Sequence, residues 1–151
     1  MPATPKVQSV SDSVWHNRPI MRARDPKGLI AAVIEAPSST TLRALFNATT
    51  AQWSHPMRHE EAYTVGAFDA LEQQVGPAKA FALLPDAARL AFEQTDPALK
   101  ETAMSLLFGL VRSSGTTEVP PGVHELLVRL RHESQGSFYL REIEKWYRLT
   151  S

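Results

Sequence analysis

The sequence predicts an all-α protein, built as an irregular stack of about seven helices in α–α hairpins. Apolar residues recur at steps of three and four along most of the chain, which is the period of a helix with one buried face. Proline follows aspartate at Asp25 and Asp96, a pair of residues that favours a helix start. No segment shows the apolar–polar alternation that is typical of strands.

The segment 96–112, DPALKETAMSLLFGLVR, is predicted to be the central helix. Asp96 is suited to cap its first turn, where Pro97 is tolerated because no donor is lost there. Its apolar residues cover two adjoining faces: Leu99, Ala103, Met104, Leu106, Leu107, Phe108, Leu110 and Val111. An apolar arc of this width indicates burial against more than one neighbouring helix.

The N-terminal part is predicted to contain an arm followed by two helices. Residues 1–12 are rich in Pro, Ser and Thr and have no period, so we expect a mobile arm before a single helical domain over residues 13–151. A first helix follows Asp25 and stops before Pro37. The run from Ser38 to Thr41 offers a cap for a second helix, which carries one apolar face: Leu42, Leu45, Phe46, Thr49 and Trp53.

Prolines also divide the rest of the chain. A third helix is predicted from Pro56 to Val75, and a short fourth helix is expected to stop at Leu84, because a proline inside a helix removes a hydrogen bond. A new helix is then expected over residues 85–94. After the polar loop SSGTTEVPPG, the pattern predicts a helix near residues 121–131 and a last one over residues 138–149.

Composition narrows the classes of function. The chain has no cysteine, which excludes disulfides and thiolate metal sites. Neither a signal-like apolar core nor a membrane-spanning run occurs, so we expect a cytoplasmic protein without a membrane partner. Lys plus Arg equals Asp plus Glu at 16 each, and this balance does not indicate a nucleic-acid partner. Residues 44–111, however, hold four basic and eight acidic residues.

The densest group of potential metal ligands is the stretch HPMRHEE, which contains His55, His59 and Glu60. Two histidines four residues apart on a helix can share a metal ion with a carboxylate. Pro56 argues against this arrangement, because it puts His55 before the helix starts. We therefore interpret the stretch as a helix N-terminus whose dipole favours Glu60 and Glu61, and we predict no metal, no cofactor and no enzymatic activity.

A second group of side chains is basic and lies near the C-terminus. It contains Arg129, Arg131, His132, Arg141, Lys145 and Arg148. Acidic residues interrupt it: Glu125, Glu133, Glu142 and Glu144. Surfaces that bind nucleic acid concentrate positive charge, so the sequence does not favour that function here. On the last helix, Glu144 is expected to face water together with its charged neighbours.

Two stretches, RHEEAYTVGAFDALEQQ and DPALKETAMSLLFGLVRSSGTTEVPP, carry a resemblance. The chain also has capped hairpins, a small size and no cysteine. In these features it resembles small HEAT-like helical immunity proteins of bacterial polymorphic toxin systems. The resemblance implies a non-catalytic protein that binds a cognate toxin and blocks its active site. Two alternatives stay open: a metal-dependent helical hydrolase using His55, His59 and Glu60, and a structural adaptor subunit.

Acidic residues on the third to fifth helices are the predicted partner-binding surface. They are Glu60, Glu61, Asp69, Glu72, Glu93 and Glu101. If the partner is a toxin that acts on nucleic acid, its active site is expected to be basic, and an acidic face would speed association with it. The polar loop at residues 113–118 is the alternative docking surface.

Overall fold

A computed structural model describes residues 26–51 and 58–149, with side chains from Thr64 onward in the second range. These residues form seven helices and no strand, which confirms the all-α prediction. The helices are α1 (Lys27–Glu35), α2 (Ser39–Thr50), α3 (Arg58–Val75), α4 (Pro77–Glu93), α5 (Pro97–Ser114), α6 (Val123–Glu133) and α7 (Phe138–Tyr147). The predicted arm at residues 1–12, together with Trp53 and His55, lies outside the described residues.

Helix α5 is the centre of the stack, as its wide apolar arc predicts. It packs against α3, α4 and α7. Six of its apolar side chains are buried: Ala103, Met104, Leu106, Leu107, Leu110 and Val111. Leu99 and Phe108 are partly buried at the edges of the arc. Because fully burying one such side chain is worth about 1.5 to 3 kcal/mol, this helix carries much of the apolar stabilisation.

Side-chain caps define where three of the helices start. The Leu99 N–H donates to Asp96 Oδ2 at 3.0 Å, which confirms the predicted cap of α5. Ser38 and Thr41 form a reciprocal capping box at the start of α2, with the Thr41 N–H donating to Ser38 Oγ at 3.2 Å. At α7, the Leu140 N–H donates to Ser137 Oγ. Each cap satisfies a donor that has no partner inside its helix.

Helix α4 is continuous from Pro77 to Glu93, so the predicted break at Pro85 is wrong. Proline inside a helix costs about 3 kcal/mol, through one lost hydrogen bond and a clash with the preceding turn. Four side chains around Pro85 are fully buried: Leu83, Leu84, Ala87 and Ala88. Among the described helices, α4 and α5 form the most extensive contact with each other. This burial offsets the cost of the proline, and the sequence pattern of α4 alone does not reveal it.

Lys100 ties three helices together at one end of the stack. Its Nζ donates to the carbonyl oxygens of Ala91 and Phe92, which end α4, at 3.1 and 3.0 Å. The same ammonium group lies 3.3 Å from Glu133 Oε1 in the last turn of α6. A cation at a helix C-terminus stabilises the carbonyl groups that lack partners there. None of the helices in the described ranges is long and apolar enough to cross a membrane.

Candidate functional site

The predicted acidic surface is distributed over three helices. Asp69 and Glu72 lie on α3, Glu93 ends α4, and Glu101 lies in the first half of α5. Glu60 and Glu61 are in the first turn of α3, and their side chains are outside the described part of the chain. The structure therefore brings together Asp69 and Glu72, which are three residues apart on one helix.

Glu72 is an interface residue rather than a surface charge. Its side chain is largely buried between α3 and α5, with Oε1 lying 3.4 Å from Nη2 of Arg112. A Cβ atom added at Gly109 would lie 1.7 Å from Glu72 Oε2. The carboxyl group thus occupies the space that any side chain at position 109 would need. Gly109, which has no side chain, therefore provides the gap between α3 and α5 that the carboxyl group fills.

The environment of Glu72 raises the pKa of its carboxyl group to about 7. Burial is the largest cause, because it disfavours the charged form. The guanidinium of Arg112 lowers this pKa, and the neighbouring carboxylate of Asp69 raises it. Near neutral pH, Glu72 therefore carries a fractional charge. Among the α3 side chains that the structure describes, Asp69 is the exposed acidic one.

The two remaining acidic residues lie in separate surroundings. Glu93 Oε1 is 2.7 Å from Nη1 of Arg43, so the two residues form an ion pair between α4 and α2. Glu101 is half-buried beside a cleft between the start of α5 and the turn that joins α6 to α7. Glu101 precedes Arg112 by 11 residues in α5, which separates it from the Glu72 site by about 16 Å along the helix axis.

Hydrogen bonds from two sides hold the polar loop after α5. Ser113, at the end of α5, donates from Oγ to the Glu72 carbonyl oxygen at 3.2 Å. Trp146 of α7 donates from Nε1 to the carbonyl oxygen of Thr116 at 2.9 Å. The alternative docking surface at residues 113–118 is therefore tied to both α3 and α7, and Gly115, Thr117 and Glu118 are its exposed residues.

The outer face of α3 combines apolar and acidic groups. Val65 is 44% exposed and lies four residues before Asp69, so the two side chains neighbour each other on the helix surface. Thr64, Phe68 and Leu71 form the opposite, buried face, and Thr64 Oγ1 donates to the Thr49 carbonyl oxygen of α2 at 3.0 Å. These contacts hold α3 on the stack and leave its outer face accessible.

The position of Glu144 differs from the one expected from the sequence. It was predicted to face water, but its side chain is buried between α6 and α7, with Oε2 lying 3.4 Å from Nε of Arg131. Around it, basic side chains from both helices meet at one groove: Arg131, His132, Arg141 and Lys145. The sequence grouped these residues, but the pattern along the chain did not reveal that they share a groove.

The histidine positions do not form a site within the described residues. His55 and the side chain of His59 lie outside the described residues, so the metal-hydrolase alternative stays an untested prediction. His124 and His132 are exposed on α6, and their eight-residue separation corresponds to about 12 Å along the axis. Among the described side chains, no group of three or more His, Cys, Asp or Glu residues is arranged to hold a metal ion.

Comparisons of the chain with protein-family models, with curated proteins and with solved structures find no match. Proposals about its function therefore depend on its own residues.

Proposed function

We propose that this chain is a non-catalytic protein-binding module of the immunity type, which binds a cognate bacterial toxin domain and neutralises it in the cytoplasm. The observation that supports it best is the outer face of α3, where the apolar Val65 neighbours the exposed Asp69. Protein interfaces combine an apolar centre with a polar and charged rim. The resemblance of the α3 and α5 stretches to immunity proteins supports the toxin as the class of partner.

The acidic surface that we propose for docking is smaller than the one predicted from the sequence. It comprises Glu60, Glu61 and Asp69, which all belong to α3. Glu72 is left out because its carboxyl group fills the gap at Gly109 and carries only a fractional charge near neutral pH. Glu93 and Glu101 are left out because they belong to other helices and have their own surroundings.

Electrostatic attraction provides the kinetic part of the proposal. A toxin domain that cleaves nucleic acid needs a basic active site, and an acidic helix face would accelerate encounter with such a site. Because this attraction acts between solvent-exposed charges, salt screens it. The proposal therefore requires association to be fast at low ionic strength and slower at high ionic strength.

The test uses the intact chain and a toxin domain identified by co-purification or from the adjacent gene. Association rates are measured by stopped flow for the wild type and for a variant with Glu60→Lys, Glu61→Lys and Asp69→Lys. We expect this variant to associate at least about tenfold more slowly at low salt, with a flatter salt dependence. It should keep its helical circular dichroism, since Asp69 is exposed.

A matched control distinguishes local charge from net charge. The control variant carries Glu35→Lys, Glu125→Lys and Glu133→Lys, three exposed positions outside α3 and outside the loop at residues 113–118, with the same total charge change. Its association rate should stay closer to that of the wild type than to that of the α3 variant. Equal rates for the two variants would contradict docking through α3. Failure of the toxin domain to bind the wild type would contradict the immunity function itself.

A further inference from the structure

A groove of about 700 Å³ lies between the last two helices, and we call it the α6–α7 groove. On α6 it is lined by Val128, Arg131 and His132, which lie on one face because they are spaced by three and four residues. On α7 the lining includes Leu140, Arg141, Glu144 and Lys145. The groove is separate from the α3 surface proposed for the toxin.

The charges of the α6–α7 groove are predominantly positive. Three permanent cations line it, Arg131, Arg141 and Lys145, against one carboxylate, Glu144. Arg131 contacts Glu144, and Lys145 lies 3.1 Å from the carboxylate of Glu142 on the same helix. Arg141 is exposed and forms no ion pair with any side chain in the described part of the chain. This cation is therefore available to pair with a carboxylate from outside the molecule.

Exposed apolar side chains lie beside these cations. Among the described residues, large apolar side chains are exposed at three positions, and two of them belong here: Val128 at 43% and Phe138 at 53%. Val128 lines the groove, and Phe138 lies seven residues before Lys145 on the same stripe of α7. Leu140 is buried at the base. Exposed apolar side chains grouped with charges mainly of one sign are characteristic of a surface that binds a protein segment.

We propose that the α6–α7 groove binds an acidic, leucine-containing peptide segment of a partner protein. Its carboxylates would pair with Arg141 and Lys145, and its apolar side chains would cover Val128 and Phe138. The observations favour a peptide over nucleic acid because Arg131 and Lys145 already contact Glu144 and Glu142, so the groove lacks the continuous row of unpaired cations that suits a phosphate backbone. An apolar lining likewise suits leucine better than a phosphate.

The binding test is fluorescence anisotropy with the full-length chain. The probe is a fluorescein-labelled peptide that repeats Leu-Glu-Glu, and the matched peptides repeat Leu-Gln-Gln and Leu-Lys-Lys. We expect the acidic peptide to bind at least about tenfold more tightly than the glutamine peptide at low salt, and less tightly as salt rises. Equal binding of the acidic and glutamine peptides would overturn the proposal. Displacement of the acidic peptide by an equimolar thymidine oligonucleotide would overturn it in favour of nucleic acid.

Two variants locate the peptide on the chain. Arg141→Glu should weaken binding of the acidic peptide about tenfold, because an attractive charge becomes repulsive. Val128→Ser keeps the charge and removes apolar contact, so it should weaken binding about fivefold. Both side chains are exposed, and we expect both variants to keep the wild-type melting temperature.

The control is Arg89→Glu on α4, which has the same charge change at an exposed side chain paired with Asp86. Binding of the acidic peptide to this variant should change less than about twofold. If Arg89→Glu weakens binding as much as Arg141→Glu does, the effect is one of net charge, and the groove is not the binding site. If Val128→Ser and Arg141→Glu each bind the acidic peptide with wild-type affinity, the proposal is overturned as well.

Discussion

Two glutamates buried between helices, Glu72 and Glu144, have similar immediate geometry and different surroundings. Their side chains are 13% and 8% exposed, and each has a carboxylate oxygen 3.4 Å from a nitrogen of a half-exposed arginine. Glu72 lies against Gly109 of α5 with Asp69 as an acidic neighbour, whereas Glu144 lies in a groove lined by basic side chains. The distance to one arginine therefore does not define what a buried carboxylate does.

The surroundings decide the role of each residue. At Glu72, burial and the nearby Asp69 raise the pKa, and the carboxyl group serves to fill the α3–α5 interface. At Glu144, the ion pair with Arg131 reduces the positive charge of the α6–α7 groove and leaves Arg141 available on its rim. The first is a packing element that responds to pH, and the second shapes a binding surface.

Charge reversal of Glu72 is expected to have the largest effect. Glu72→Lys places an ammonium group in the gap at Gly109, next to the guanidinium of Arg112, and should lower the free energy of unfolding by about 3 kcal/mol. Urea denaturation at neutral pH measures this change. Asp69→Lys, one turn away and exposed, is the control and should stay within about 0.5 kcal/mol of the wild type. A loss of stability in Glu72→Lys as small as that expected for Asp69→Lys would show that Glu72 is a surface residue.

The raised pKa of Glu72 should make the free energy of unfolding depend on pH. Because its pKa rises from 4.5 to about 7 on folding, the folded state holds its proton more tightly than the unfolded state does. Its contribution to stability is therefore complete below pH 4.5 and is lost as the pH rises through about 7. Between pH 5 and pH 8, we expect the free energy of unfolding of the wild type to fall by about 2 kcal/mol more than that of Glu72→Gln. This difference is smaller than the full pKa shift implies, because the site is partly solvated.

Urea titrations of both proteins across this pH range measure that difference. The comparison with Glu72→Gln removes the contribution of all other titrating groups, apart from the effect of Glu72 on its neighbours Asp69 and Arg112. Parallel pH profiles for the wild type and the variant would contradict a raised pKa at Glu72.

Replacing the arginine beside each glutamate should show a further difference between Glu72 and Glu144. Arg131→Ala leaves Glu144 buried without its ion pair and should cost about 1 to 2 kcal/mol, because Arg131 is half-exposed and the pair is partly solvated. Arg112→Ala should cost less at pH 5 than at pH 8, because Glu72 accepts a proton as the pH falls. Thermal unfolding at the two pH values measures both effects. A cost of Arg112→Ala that does not change with pH would disagree with the role assigned to Glu72.

Tyr147 extends the comparison to a buried polar group without any partner. Among the described side chains, its hydroxyl group is the buried one that forms no hydrogen bond, and burial raises its pKa to about 12, so the phenol stays neutral. Tyr147→Phe removes this group and keeps the ring. We expect the free energy of unfolding to rise by about 0.5 to 1 kcal/mol. A loss of stability of similar size would show that the hydroxyl group has a partner in solution.

Much of the fold could be predicted from patterns within single segments. The arc of Leu106, Leu107 and Leu110 predicted the central helix because the period of apolar residues reflects the buried face of that helix. Asp96 and Ser38 predicted helix starts because a capping side chain bonds to its own backbone within three residues. Such local relations need no information about the rest of the chain.

The candidate sites could be predicted only in part. Asp69 is exposed on α3 as the acidic surface requires, but the pattern did not show that Glu72 fills the gap at Gly109, 37 positions further along the chain. The basic residues near the C-terminus were recognised as a group, and their interruption by four acidic residues, Glu144 among them, argued against a surface that binds nucleic acid. Burial of Glu144 under Arg131 takes one of these four carboxylates away from the surface, and this burial depends on how α6 packs on α7.

What the sequence determined about this protein is its local structure: all-α elements, a central helix at α5, and the caps that start α2 and α5. The tertiary structure alone decided the continuity of α4 through Pro85, the burial of Glu72 and Glu144, and the composition of the α6–α7 groove. The physical reason is the range of the interactions. Period and capping act within one or two turns, whereas the cost of a proline or a buried charge is balanced by side chains from other helices.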